Sequence, residues 1–184
     1  MNQPQIPVNM NRSPIPGFHV YRAPGAEGKP ERTILSPLGP QDVNQAGGLC
    51  DEAIIGEVIA PEKGLNPENF IPNPAFIRFL HKVLAVHAPQ CPGLMDAAKQ
   101  GGTGTLLVLD QRSTKPPAER EPKDILGWVE IKDGRLVRYI INPQHQIVTD
   151  HGFTVMDPWY QVRLIEELKK LSNRPAGGAA PQVL

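Results

Sequence analysis

The sequence predicts an α+β protein: a small, mostly antiparallel sheet of four or five strands with two main helices on one face, and an extended, proline-rich N-terminal arm. Three signals support this fold class. Asn73-Pro74 and Asp157-Pro158 each open a run with helical apolar spacing, and Asp133-Gly134 lies between them, flanked by alternating apolar residues. Asn and Asp cap the first free amides of a helix, proline suits its first position, and Asp-Gly suits a two-residue hairpin turn. The order of elements argues against a regular parallel sheet.

The chain divides by composition into three parts. Residues 1–48 hold eight prolines and six glycines, which predicts an extended arm. Residues 49–172 should form one α+β domain, and 173–184 read as a low-complexity, disordered tail. No internal repeat is evident.

Within the domain, each element follows from a local pattern. Apolar runs predict strands, and spacings of three and four predict helices. The second main helix should turn one face inward, formed by Trp159, Val162, Ile165, Leu168 and either Leu164 or Leu171. The predicted elements are a strand at 53–60, a helix at 74–88, a short helix at 94–99, a strand at 105–110, the hairpin around Asp133-Gly134, a strand at 146–149 and a helix at 158–172.

The hairpin turn predicts a strand register. A two-residue turn places Lys132 opposite Arg135 and, further along, Trp128 opposite Tyr139. One sheet face then has an apolar base formed by Leu126, Trp128, Tyr139 and Ile141, which is the predicted binding surface. A soluble monomer seldom leaves such a patch exposed, so we expect the tethered arm, in preference to a second chain, to cover it. The arm residues suited to this are Phe18, Val20, Tyr21, Ile34 and Leu35.

Charge and cysteine content exclude several classes of protein. Nineteen basic residues balance nineteen acidic ones, so no overall field attracts nucleic acid or anionic lipid. Basic residues near Trp128 and Tyr139 resemble a single-strand RNA surface only weakly, and nucleic-acid binding is not expected. Two cysteines make no disulfide framework, and no apolar run approaches the about 20 residues of a membrane span. The sequence therefore predicts a soluble, cytoplasmic protein.

The densest polar cluster is His145, Asp150 and His151. Two imidazoles and a carboxylate are chemically able to bind a metal or to act as base and orienting acid, and Asp110 is a fourth weak candidate. The short strand and turn around these residues give no ligand geometry. Solvated loop histidines explain the pattern better, so we expect no metal and no cofactor. Asp110 with Arg112, at the end of a strand, fits either a carboxylate and anion clamp lining a cleft or an ordinary surface ion pair.

No catalytic motif stands out in the sequence, and two extended termini suggest contacts with a partner. By elimination, the sequence favours a non-enzymatic protein-binding or assembly component acting on another protein or on copies of itself. The alternative is a small hydrolase or metal-dependent enzyme using His145, Asp150 and His151.

Overall fold

A computed structural model describes residues 17–25 and 31–172, which form a mixed α+β structure in which all strand pairs are antiparallel. The predicted tail at 173–184 lies outside the described residues. Instead of one sheet of four or five strands, the described residues form three sheets, with strand orders β1-β2-β3-β4, β5-β6-β7 and β8-β9. The strands are β1 (His19–Ala23), β2 (Arg32–Ser36), β3 (Gly56–Val58), β4 (Phe70–Pro72), β5 (Gly104–Leu109), β6 (Ile125–Lys132), β7 (Arg135–Ile141), β8 (Val148–Thr149) and β9 (Gly152–Phe153).

Four α-helices lie in the part of the chain that the structure describes, and both predicted main helices are confirmed. They are α1 (Pro40–Ala46), α2 (Pro74–His87), α3 (Pro92–Gly101) and α4 (Pro158–Ser172). Asn73 Oδ1 accepts the Ala75 N–H at 3.0 Å, and Asp157 Oδ1 accepts the Trp159 N–H at 2.8 Å. The Asx-Pro pairs therefore start these helices by capping, as predicted.

The inward face of α4 is as predicted at Leu164 and Leu168, and it differs at Val162 and Tyr160. Trp159 and Ile165, also predicted to face inward, are partly buried against the core. Tyr160, Leu164 and Leu168 are the buried residues of this helix, whereas Val162 is 52% exposed. These three residues are spaced by four, and spacing alone did not distinguish that stripe from its neighbour. Helix α2 packs against both α4 and β7, so the core lies between the helices and the sheets.

The part of 1–48 that the structure describes contains regular elements where the sequence predicts an extended arm. Strands β1 and β2 and helix α1 lie within it, and Phe18, Tyr21 and Ile34 belong to the main core. Each apolar run in this segment is too short to form a periodic face alone. It becomes a strand only by pairing with another strand that is distant in the sequence. The arm residues that were predicted to cover the hairpin therefore belong to a different sheet, in which β1 pairs with β2 and β2 pairs with β3.

The hairpin turn is confirmed, but the predicted register is wrong beyond it. Asp133 and Gly134 have φ values of 52° and 72°, as a type I′ turn requires. A β-bulge then adds one residue to β7, so Trp128 lies opposite Ile140 and Val129 lies opposite Tyr139. The extra residue moves the Tyr139 ring to the core face.

The fold contains one hairpin unit twice, although the sequence predicts no internal repeat. Residues 54–58 (IIGEV) align with 125–129 (ILGWV), and 70–74 (FIPNP) align with 139–143 (YIINP); six of these ten positions are identical. The registers agree, because Val58 pairs with Phe70 as Val129 pairs with Tyr139. Strand β2 pairs with β3 as β5 pairs with β6. We call these the first copy (β2–β4) and the second copy (β5–β7).

Side-chain hydrogen bonds show the same duplication. Asn73 Nδ2 donates to the carbonyls of Asp51 and Ile54 at 2.7 and 2.8 Å. Asn142 Nδ2 donates to the matching carbonyls of Pro122 and Ile125, both at 2.7 Å. The long and irregular connection between the strands of the first copy hides this repeat in the sequence.

Candidate functional site

The second copy carries a buried ionic cluster centred on Arg112. Its Nη2 lies 3.2 Å from Asp110 Oδ2 and its Nε lies 2.9 Å from Asp124 Oδ1, with all three side chains no more than 1% exposed. The guanidinium also donates to the carbonyls of Ile147, Gly152, Lys123 and Gln146 at 2.5–3.2 Å. The predicted surface ion pair is therefore wrong: Arg112 joins two loops in the interior.

Two of the predicted histidines contact this cluster. His145 Nε2 lies 3.1 Å from Asp110 Oδ2, and its side chain is only 2% exposed. His151 Nδ1 lies 2.9 Å from Asp124 Oδ2 and is 31% exposed at the side chain. The structure thus groups Asp110, His145 and His151 around one guanidinium, with each histidine on its own carboxylate.

Asp150 does not join them. Its carboxylate is exposed and lies 2.6 Å from the Lys123 ammonium, which holds the pKa of Asp150 below its usual value. The sequence neighbours Asp150 and His151 therefore have separate partners. Their adjacency in the chain gave a misleading prediction of adjacency in a site.

The chemistry open to the cluster is restricted by Arg112. Its positive charge lies between the two carboxylates, where a bound cation would otherwise be expected. Its Nη1 and Nη2 groups donate to four backbone carbonyls, and both carboxylates lie within 3.2 Å of the guanidinium, which leaves little capacity for a ligand. Among the described residues, no group of three or more His, Cys, Asp or Glu side chains is arranged to hold a metal ion.

A second buried polar pair adjoins His145. His81 Nδ1 lies 3.0 Å from the Tyr139 hydroxyl, and the rings of His81 and His145 stand edge to face, with centroids 6.4 Å apart. Burial, and then the charge of His145, lower the pKa of His81 to about 4. The Tyr139 hydroxyl donates to the Leu126 carbonyl at 2.7 Å, and burial raises its pKa. His81 is thus held neutral in the core.

A shallow pocket of about 460 Å³ lies beside His145. Its lining comes from residues 121–123 and 143–146. The pocket is open and its lining mixes charged, polar and proline side chains. Its lining contains no Leu, Ile, Val, Met, Phe, Tyr or Trp side chain, unlike that of a typical small-molecule site.

The predicted binding surface is divided between core and exterior. Leu126 and Tyr139 are 0% and 9% exposed and belong to the main core. Trp128 is half-buried and Ile141 is 51% exposed. On the outer face of the second sheet, Trp128 pairs with Leu107 on one side and with Ile140 on the other. We call this cross-strand row Leu107–Trp128–Ile140 the outer row.

The chain matches no protein-family model, and comparison with curated proteins and with solved structures gave no match. Within residues 17–25 and 31–172, no helix combines the length and apolar character that crossing a bilayer requires. No family, relative or structural neighbour therefore indicates a function.

Sequence reasoning missed three members of the buried polar network: Asp124, His81 and Thr154. Thr154 Oγ1 lies 3.4 Å from His145 Nε2. Asp124 directly precedes β6, but its partners Arg112 and His151 lie in other segments, so no local pattern signals it. Nothing local distinguishes His81 from an exposed helical histidine.

Proposed function

We propose that this protein is a non-enzymatic binding or assembly component, and that the outer face of the second sheet is its docking surface. The observation that supports this is the outer row. Leu107 and Trp128 are half-buried and Ile140 is 37% exposed, although they form one continuous apolar strip across three strands. Apolar strips of this kind on a structured surface often mark protein interfaces.

The composition of the strip fits this role. Aromatic residues are enriched at interface centres, where a large ring excludes water, and Trp is prominent among the residues that dominate binding energy. Trp128 lies in the middle of the outer row. Glu130 and Arg138, whose charged groups are 2.7 Å apart, border it as a polar rim.

The enzyme alternative rests on the contact between His145 and Asp110. That pair resembles a base with its orienting acid. However, Asp110 Oδ2 also faces Arg112, and Oδ1 accepts the backbone N–H groups of Arg112 and Val155 at 3.1 and 2.9 Å. Both oxygens of this carboxylate therefore already have partners, which fits a structural role better than a catalytic one. The proposal keeps the cytoplasmic setting expected from two cysteines, which are free in the structure.

The test compares two substitutions of exposed apolar residues. Ile140→Asp places a charge in the outer row, and Val162→Asp places one on the solvent face of α4, where Val162 is 52% exposed. Proteins that co-purify with the wild-type chain at native abundance would be identified and their binding reconstituted from purified components. We expect Ile140→Asp to weaken that binding by at least about tenfold and Val162→Asp to leave it unchanged.

Equal binding by both variants would contradict the proposal. A parallel comparison of His145→Gln examines the enzyme alternative. If that substitution removed a hydrolytic activity of the purified chain while the fold and partner binding were retained, the enzyme alternative would replace the proposed binding function.

A further inference from the structure

The outer edge of β5 presents backbone groups that no described residue pairs. The Asp110 N–H donates towards β6, to the Asp124 carbonyl at 3.2 Å, and the Gln111 N–H donates the other way, to the Val155 carbonyl at 2.6 Å. Because successive residues of a strand alternate in direction, Leu109, Leu107 and Thr105 point their N–H and C=O groups outward with Gln111. Sheet order places β5 at an edge of its sheet.

The first copy shows what such an edge accepts. There β2 is the equivalent of β5, and β1 pairs with its outer edge in antiparallel register. Ile34, which corresponds to Leu107, lies opposite Tyr21 of β1. Within 17–25 and 31–172, the second copy has no strand that plays the part of β1.

The two edges of the second sheet are protected to different degrees. Strand β7 carries Arg135, Arg138 and a bulge, which are the features that discourage edge pairing. Strand β5 (Gly104–Leu109, GTLLVL) has neither a charge nor a proline. Self-pairing of a charged strand would bring like charges together, whereas β5 meets no such penalty.

We infer that β5 pairs with β5 of a second copy of this chain, in antiparallel register across a two-fold axis at Leu107. This inference rests on the proposed function and names its partner. The three outward-facing residues are symmetric about Leu107, so Leu107 faces its own counterpart and Thr105 faces Leu109. Each such pair exchanges two backbone hydrogen bonds, and the interface is isologous. The two outer rows then join into one apolar strip across six strands.

Residues beside β5 in the same chain limit how many residues this pairing includes. At Gln111 the next outward N–H is already taken by Val155, so pairing stops after Leu109. The position opposite Gln111 corresponds to Thr103 of the other copy. There the chain turns, with positive φ at Gly102 (67°) and Gly104 (153°). The strand therefore leaves the interface where Val155 would obstruct it.

The test uses opposite charges at the two-fold axis. Leu107→Lys and Leu107→Glu each place like charges opposite one another, so each variant alone should dimerise at least about tenfold more weakly than the wild type. Mixing the two variants should restore a dimer that contains one of each. Because a misfolded variant would not be rescued by mixing, this restoration separates charge repulsion from damage to the fold. The matched controls, Val162→Lys and Val162→Glu, should dimerise like the wild type, as measured by sedimentation equilibrium.

Hydrogen exchange provides an independent measurement on the full chain. The amides of Thr105, Leu107 and Leu109 should become protected as protein concentration rises, while those of Leu106 and Val108 should be protected at all concentrations. A wild-type chain that stays monomeric at high concentration, or a dimer insensitive to both Leu107 variants, would overturn the inference. If those variants have no effect and Ile140→Asp still loses a different protein, the proposed function stands and only the self-pairing fails.

Discussion

The two copies of the hairpin unit differ most at the ends of their first strands. Ser36 ends β2, and its Oγ accepts the Leu38 N–H at 3.2 Å. Asp110 follows β5, and its Oδ1 accepts the Arg112 N–H in the same way at 3.1 Å. Both side chains are fully buried. The buried hydroxyl at the end of β2 needs no counter-charge, whereas the buried carboxylate just after β5 does, and Arg112 provides it.

The segments that follow the copies differ accordingly. After Asn73-Pro74 the first copy continues into α2, which supplies its own backbone hydrogen bonds. After Asn142-Pro143 the chain has no helix before α4, and Arg112 binds its carbonyls instead. The comparison teaches that one sheet unit can be completed either by a helix or by a buried cation. The four predictions that follow test this difference, from the largest effect to the smallest.

Arg112→Met should destabilise the protein most. It leaves Asp110 and Asp124 buried without a cation, and we expect the free energy of unfolding to fall by about 3 to 5 kcal/mol. The matched variant in the first copy is Arg32→Met, which removes an ion pair with Glu57 whose side chains are 48% and 28% exposed. It should cost at most about 1 kcal/mol. Urea unfolding measures both, and equal losses would contradict the contrast between the copies.

His81 should make stability depend on pH. Its pKa is about 4 in the folded protein and about 6.5 when unfolded, so the unfolded state binds the proton more readily. The contribution of neutral His81 to the free energy of unfolding is complete above pH 6.5. It is lost as pH falls towards 4, by up to about 3 kcal/mol. His81→Leu should flatten the dependence of unfolding free energy on pH across that window. A variant as pH-sensitive as the wild type would show that other groups cause the dependence.

Gly56→Ala and Gly127→Ala should each destabilise the protein by about 1 to 3 kcal/mol. At Gly56 an added Cβ would overlap the Phe70 ring, and at Gly127 it would overlap the Tyr139 ring, because the two aromatic rings cover the glycines alike. Gly93→Ala is the control, since a Cβ there meets no neighbouring atom within 4 Å. Thermal unfolding that distinguished the two hairpin variants strongly would show that the copies are not equivalent in packing.

Asp157→Ala should have the smallest effect, a loss of about 0.5 to 2 kcal/mol from removing one helix cap. Asn73→Ala should cost more, because Asn73 caps α2 and also donates to two carbonyls beside β3. Chemical denaturation of both variants provides the comparison. An Asp157 variant with wild-type stability would mean that α4 does not depend on its cap.

The sequence predicted elements better than it predicted their partners. Both capped helices and the Asp133-Gly134 turn are confirmed, because each depends on residues close together in the chain. The Trp128–Tyr139 pairing was wrong because one bulge residue reverses every side chain beyond it. The sequence did not predict the repeat, because its two central strands are joined by residues 59–69 in the first copy and by residues 133–134 in the second.

The candidate site shows the same limit. His145, His151 and Asp110 do come together, but only through Arg112 and Asp124, which other segments supply. Whether Asp110 and Arg112 form a surface pair or an interior one depends on what covers them, and that cover comes from residues 142–154. Spacing along the chain carries no information about such cover.

The sequence by itself determined where α2 and α4 begin and where the hairpin turns, since capping and turn geometry are fixed by a few adjacent residues. Only the tertiary structure decided that β1 and β2 are strands, that Arg112 is buried between two carboxylates, and that Tyr139 faces His81 while Trp128 faces outward. Those outcomes depend on pairing and burial between segments far apart in the chain. The free energy of those contacts exists only once the whole core has assembled.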